Sequence, residues 1–128
     1  MMKIDVSIGE LVDKVSILSI KLKKIKSREK LKNIRREYDL LKNSMEGIGI
    51  AIESEGFKAL ESINLKLWDI EDKIRIKEAQ KEFDSDFIQL ARSVYFNNDH
   101  RAEIKKEINL KYGSELIEEK EYVRYGNF

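Results

Sequence analysis

Apolar residues recur along this chain in steps of three and four, and proline is absent. One stripe runs Ile8, Leu11, Val15, Leu18, Leu22, Ile25, and a second runs Leu31, Ile34, Tyr38, Leu41, Met45. A third is Phe57, Leu60, Ile63, Leu67, Ile70, Ile74, and a fourth is Phe83, Phe87, Leu90, Val94. This spacing lines one face of a helix, where period-two alternation would line one face of a strand. Val12, Ile17 and Ile20 lie off the first stripe and widen its apolar surface, which predicts burial against more than one neighbour.

Local signals punctuate these stripes. Ser7-Ile8-Gly9-Glu10 reads as a capping box, with Ser7 at the N-cap and Glu10 three residues on. Ser27 ends the first helix and caps the second. Gly47 and Gly49 break the second, and residues 46–56 read as a loop or frayed turn, with a short strand as the alternative. The third helix is expected over residues 57–81. Asp84-Ser85-Asp86 suits the start of a fourth, because acids complement the positive end of the helix dipole. Gly113 is a natural residue just past a helix end. The tail over residues 114–128 is acidic, then aromatic at Tyr122, Tyr125 and Phe128.

Hydrophobic residues make up 41% of the 128 residues and charged residues 38%. That balance suits helices with one solvated face and is too apolar for a disordered chain. Long helices with short connections pack as antiparallel neighbours. The expectation is an all-α protein, an antiparallel bundle of four to five helices in one domain over residues 1–128. Its spare apolar surface points to a homodimer. No apolar run approaches the roughly eighteen residues of a membrane span, and no signal-peptide core opens the chain. With no cysteine, disulfides and thiolate zinc sites are excluded. A cytoplasmic location fits these features.

The fourth stripe then turns polar without losing register. Val94 is followed at the same spacing by Asn97 and Arg101, then by Ile104 and Ile108. The run Tyr95-Phe96-Asn97-Asn98-Asp99-His100-Arg101 therefore puts polar groups where a core is expected, and buried polar groups need partners. Two readings fit. In one, the run is a ligand pocket. Arg92 and Arg101 clamp an anion, Asn97, Asn98 and the amides opening a fifth helix assist, and Tyr95 or Phe96 stacks on a ring. In the other, Asn98 or Asp99 caps a fifth helix at a corner, and Arg101 pairs with Glu71 or Asp72. A second line on the third helix, Asn64, Trp68, Glu71, Arg75, either completes that pocket or forms a flank, with Glu71 and Arg75 paired and Trp68 filling core. The candidate ligand-binding set is Trp68, Glu71, Arg75, Arg92, Tyr95, Asn97, Asn98, Asp99 and Arg101.

Several motifs resemble those of a known family. They are Ser7-x-Gly9-Glu10-Leu11-x-Asp13-Lys14, Asn64-x-x-Leu67-Trp68-x-Ile70-Glu71-Asp72, Val94-Tyr95-x-Asn97-Asn98-Asp99-x-Arg101-Ala102, Gly113-Ser114 and Glu118-Glu119-Lys120-x-Tyr122. Together they resemble a family of small bacterial and phage proteins of unknown function. Its members accompany genes for glycosyltransferases and surface polysaccharide. The resemblance implies a link to that pathway and supplies no catalytic residues.

No nucleophile triad, phosphate-binding glycine loop or metal motif stands out, so neither cofactor nor metal is expected. His100 with Glu103 makes a poor metal pair, since sites normally take three or four ligands. The function expected is a non-catalytic binding or accessory module acting with a partner enzyme or small anionic ligand. A small helical enzyme of the chorismate-mutase type is the alternative, echoed by Leu67-Trp68-Asp69-Ile70-Glu71-Asp72. Residues 21–36 hold nine basic residues against one acid, Glu29. Nucleic-acid association there is the third possibility, and a solvated helix face is the simpler account.

Overall fold

The computed structural model describes residues 1–125. Among them are four helices and no strand: α1 (Ile8–Lys24), α2 (Arg28–Gly47), α3 (Glu55–Ala79) and α4 (Ser85–Lys111). Each starts at a side-chain cap. The Ser7, Ser27 and Ser54 hydroxyls and the Asp84 carboxylate accept from the amides of Glu10, Lys30, Phe57 and Phe87. Such caps satisfy amides that a helix start leaves without partners.

α1 is the central element and packs against all three other helices. This explains its wide apolar surface: Val12, Val15, Leu18 and Ile20 are all buried. α2 packs on α1 alone among the helices, through Tyr38 and Met45, and its Arg28, Lys30, Lys32, Arg35 and Arg36 are exposed. α3 and α4 form an antiparallel pair. Ile50, in the turn after α2, closes the core, while neighbouring Ile48 is exposed.

Two expectations fail. The run 95–101 is neither a break nor a corner, because α4 continues through it and no fifth helix starts at Asn98 or Asp99. Asn97 instead donates to the Ser93 carbonyl one turn back, inside the same helix. Phe83 is not core. It precedes α4, is 57% exposed, and stacks edge-on against Phe87 with ring centres 5.2 Å apart. After Tyr112, Gly113 adopts φ +66° and turns the tail back along α4. Phe128 lies outside the described residues.

Candidate functional site

α1 and α4 approach closely at Gly9. A Cβ there would lie 2.5 Å from the Lys105 carbonyl oxygen, so only hydrogen fits. This approach closes the N-terminus of α1. The Gly9 amide donates to the Asn109 side-chain oxygen at 2.6 Å, and the Ile8 amide to the Ser114 hydroxyl at 3.0 Å. The Ile8, Gly9 and Glu10 amides at this end are thus already occupied.

One turn along, Asp13 is 1% exposed and lies between three elements. Arg101 grips it as a fork, Nε donating to Oδ1 at 3.0 Å and Nη2 to Oδ2 at 2.5 Å. Asn64 from α3 donates to Asp13 Oδ1 at 2.8 Å and to the Ser16 hydroxyl at 2.9 Å. Lys105 donates to Glu10 at 2.7 Å and to Glu118 of the tail at 2.9 Å, with Asp13 at 4.0 Å. Glu10 therefore turns to α4 rather than back to complete the capping box.

The charges in this cluster sustain one another. The hydrogen bond to Asp13 holds the Arg101 guanidinium above its ordinary value against partial desolvation. Burial alone would depress the Lys105 ammonium, but hydrogen bonds to Glu10 and Glu118 and the charge of Asp13 outweigh it and raise it. Glu118 is held below the usual carboxylate range by its hydrogen bond from Lys105. Among the described residues, no buried side-chain polar atom lacks a partner. The cluster is thus a saturated cross-link between α1, α3, α4 and the tail.

The predicted site residues divide among separate places. Arg92 and Arg101 are nine positions apart on one helix, about 180° around its axis, and cannot form one clamp. Arg92 sits over the Phe96 ring at 6.0 Å. Arg101 takes Asp13, rather than the expected Glu71 or Asp72. Glu71 and Arg75 pair with each other at 2.6 Å on an exposed flank of α3, and Trp68 is half-buried. Asn98 accepts from Arg101 Nη1 at 3.4 Å.

Tyr95, Asn98 and Asp99, by contrast, line a second feature. The returning tail and α4 frame an open cavity of about 500 Å³, bounded by Val94, Tyr95, Asn98, Asp99, Lys120, Tyr122 and Tyr125. Tyr125 stands edge-on to Tyr95 and Phe96, with ring centres 4.8 and 5.2 Å away. Its hydroxyl donates to the Asp99 carboxylate, which pushes the phenol up to about 12.

Asp13, Ser16, Lys105, Asn109, Ser114 and Glu118 of the cross-link, and Lys120, Tyr122 and Tyr125 of the cavity, were absent from the sequence-derived set. A signal for the first two exists: Gly9, Asp13, Ser16 and Ile20 step by four, three and four, a second stripe beside the apolar one. The tail carries no such periodicity.

A family model matches residues 2–125, nearly the whole chain. The chain belongs to DUF6165, a family of unknown function. No curated protein and no solved structure matches it. Membership in DUF6165 thus fixes the family without assigning a reaction, and the chemistry must be read from the two features above.

Proposed function

We propose that this DUF6165 chain is a non-catalytic binding module for a small, ring-bearing polyol of saccharide type, held in the cavity between α4 and the tail. One observation carries this reading: Tyr95, Tyr122 and Tyr125 surround a space that also presents the Asn98 amide and the Asp99 carboxylate. A sugar ring has apolar C–H faces that pack on aromatic rings, and hydroxyls that need acceptors and donors. Tyrosine supplies both kinds of surface, and amide and carboxylate oxygens complete the acceptor set. Lys120 at the same cavity, 3.7 Å from Glu118 in a loose surface pair, is a cation that an acidic substituent on the ring could share.

One consideration supports a binding role over a catalytic one. A chorismate-mutase-like reaction needs cations aimed at a dianionic transition state. Arg101 and Lys105 instead carry carboxylate partners. A polyol ligand also agrees with the polysaccharide setting that the family resemblance implies, and a cytoplasmic role beside a sugar-transferring enzyme belongs to the same proposal.

The test is calorimetric titration and saturation-transfer NMR of the full chain with neutral hexoses, hexuronic acids and nucleotide sugars. Binding by at least one class is expected, weakened about tenfold in Tyr122→Ala, the loss of roughly 1.4 kcal/mol of ring contact. Tyr122 is 68% exposed, so its truncation leaves the bundle intact. Absence of binding to every class at millimolar concentration overturns the proposal. So does affinity unchanged by Tyr122→Ala.

A further inference from the structure

The α3–α4 pair outruns the helix that packs on it. Lys24, the last residue of α1, reaches Asp69 at 3.7 Å and marks the level where α1 stops. α3 runs on from there to Ala79, about 15 Å further at 1.5 Å per residue. In this overhang Ile76 is 55% exposed and Phe83, at the tip, 57%. An open groove of about 620 Å³ lies between the two helices, lined by Ile70, Ile76 and Leu90 and flanked by Lys66, Lys73 and Asp86. Two helices alone enclose no core, and an apolar stripe needs another layer against it.

Charge identifies the layer. The tip of the overhang, residues 77–86, holds the acids Glu78, Glu82, Asp84 and Asp86 against Lys77 and Lys81, and Lys77 pairs with Glu82 at 3.2 Å and Asp84 at 2.8 Å, which leaves the acidic excess on Glu78 and Asp86. At its root, where α1 ends and α2 begins, residues 21–30 hold Lys21, Lys23, Lys24, Lys26, Arg28 and Lys30 against Glu29. Acidic tip and basic collar are thus separated by the length of the apolar groove. An anionic membrane or a nucleic acid would be attracted to the collar and repelled by the tip. A second copy in antiparallel orientation satisfies both ends at once, because a two-fold axis makes every contact twice.

We propose that the occupant of this groove is a second copy of the chain, its α3–α4 overhang laid antiparallel on the first. The four overhanging helices then close a bundle, and the acidic tip of each copy docks on the basic collar of the other. This is independent of the ligand reading above, since none of the cavity residues takes part.

Sedimentation equilibrium of the full chain gives the mass, and circular dichroism confirms that each variant stays helical. The expected species is a dimer of the 15.1 kDa chain whose dissociation constant rises with salt. Ile76→Glu with Gln89→Glu, both exposed and lining the groove, yields a folded monomer. The discriminating measurement is a charge exchange. A tip-reversed chain (Glu78→Lys, Asp86→Lys) and a collar-reversed chain (Lys26→Glu, Arg28→Glu) each dimerise at least about tenfold more weakly alone. Mixed, they form a heterodimer, because each reversed end meets its complement. A wild-type chain that is monomeric at high micromolar concentration overturns the proposal. So does a mixture that associates no better than its separate components.

Discussion

Arg101 and Asp13 form a two-pronged ion pair across 88 residues of sequence, with the carboxylate on α1 almost wholly buried and the guanidinium on α4 reaching in from a partly open side. The pair sets the rotation of α4 about its own axis. With Arg101 turned inward, Arg92, Tyr95, Phe96 and Asp99 turn outward toward the returning tail. The buried cross-link and the aromatic rings of the cavity therefore lie on different sides of the same helical stretch, with Asn98 between them, bonded to Arg101 and lining the cavity.

Removing one member of this pair leaves a buried charge without its partner. Arg101→Met should lower unfolding free energy by about 3–5 kcal/mol, the usual range for an orphaned buried ion. Replacing both members, as Asp13→Leu with Arg101→Met, should recover much of that loss, since apolar residues of similar volume tolerate such positions. Urea unfolding of the two variants checks it. Losses that simply add would mean that the two side chains act independently.

Gly9 tests the closeness of α1 and α4. A methyl group there meets backbone at 2.5 Å, so Gly9→Ala must separate the helices and should destabilise by about 1–3 kcal/mol. Gly47, ending α2, has open space around the same position, and Gly47→Ala should stabilise by about 0.4–1 kcal/mol. Paired thermal melts read both signs. A neutral Gly9→Ala would contradict the tight crossing.

How much of this was legible depends on where the determining information lies. The four helices follow from spacings within each segment, and the caps at Ser7, Ser27 and Asp84 are local as well. Asn97 and Arg101 at core positions could be seen from the sequence, but not why they are tolerated. The answer for Arg101 is Asp13 on a different helix, and without it the polar run reads as either a pocket or a corner. Trp68, Glu71 and Arg75 were grouped with that run because spacing gives a face but not its rotation toward α4. The tail was opaque for a further reason: Glu118 and Tyr125 reach Lys105 and Asp99 across an aperiodic stretch.

The tail latch should open in acid. Glu118 titrates lower in the folded chain than its ordinary 4.5, so its contribution is present above that value and disappears as pH falls through the lower folded one. The carboxylate is partly exposed, which limits the effect to about 1 kcal/mol or less. Backbone chemical shifts of residues 114–125 should therefore move toward random-coil values at low pH before the helices unfold. Glu118→Gln should show those shifts already at neutral pH. Tail shifts that are flat across the acid range would refute the latch.

Alkali should separate Tyr125 from the other tyrosines. Its phenol donates to Asp99, and ionisation would place two negative charges together, so it is raised from 10.0 to about 12. The stabilisation is complete below about 10 and is lost as pH climbs through 12. A tyrosinate absorbance titration should resolve a late component from the chain's five tyrosines, and Tyr125→Phe should abolish it. If the late component survives that replacement, the Asp99 hydrogen bond is misassigned.

Asn64 offers the sharpest test of the network, because one atom changes its chemistry. Its amide nitrogen donates to Asp13 at 2.8 Å and to Ser16 at 2.9 Å. Asn64→Asp keeps the shape but puts a second carboxylate where a donor stood. Two carboxylates at that distance share a proton, so the pair's upper pKa rises above the unfolded value of roughly 4. A raised folded pKa stabilises below the unfolded value and ceases to do so as pH increases. The variant should thus approach wild-type stability in acid and fall about 3–5 kcal/mol short near neutrality. Asn64→Ala loses only hydrogen bonds, about 1–3 kcal/mol, and its deficit should not follow that acid-to-neutral trend. Matching pH profiles for the two variants would show that Asn64 does not face Asp13.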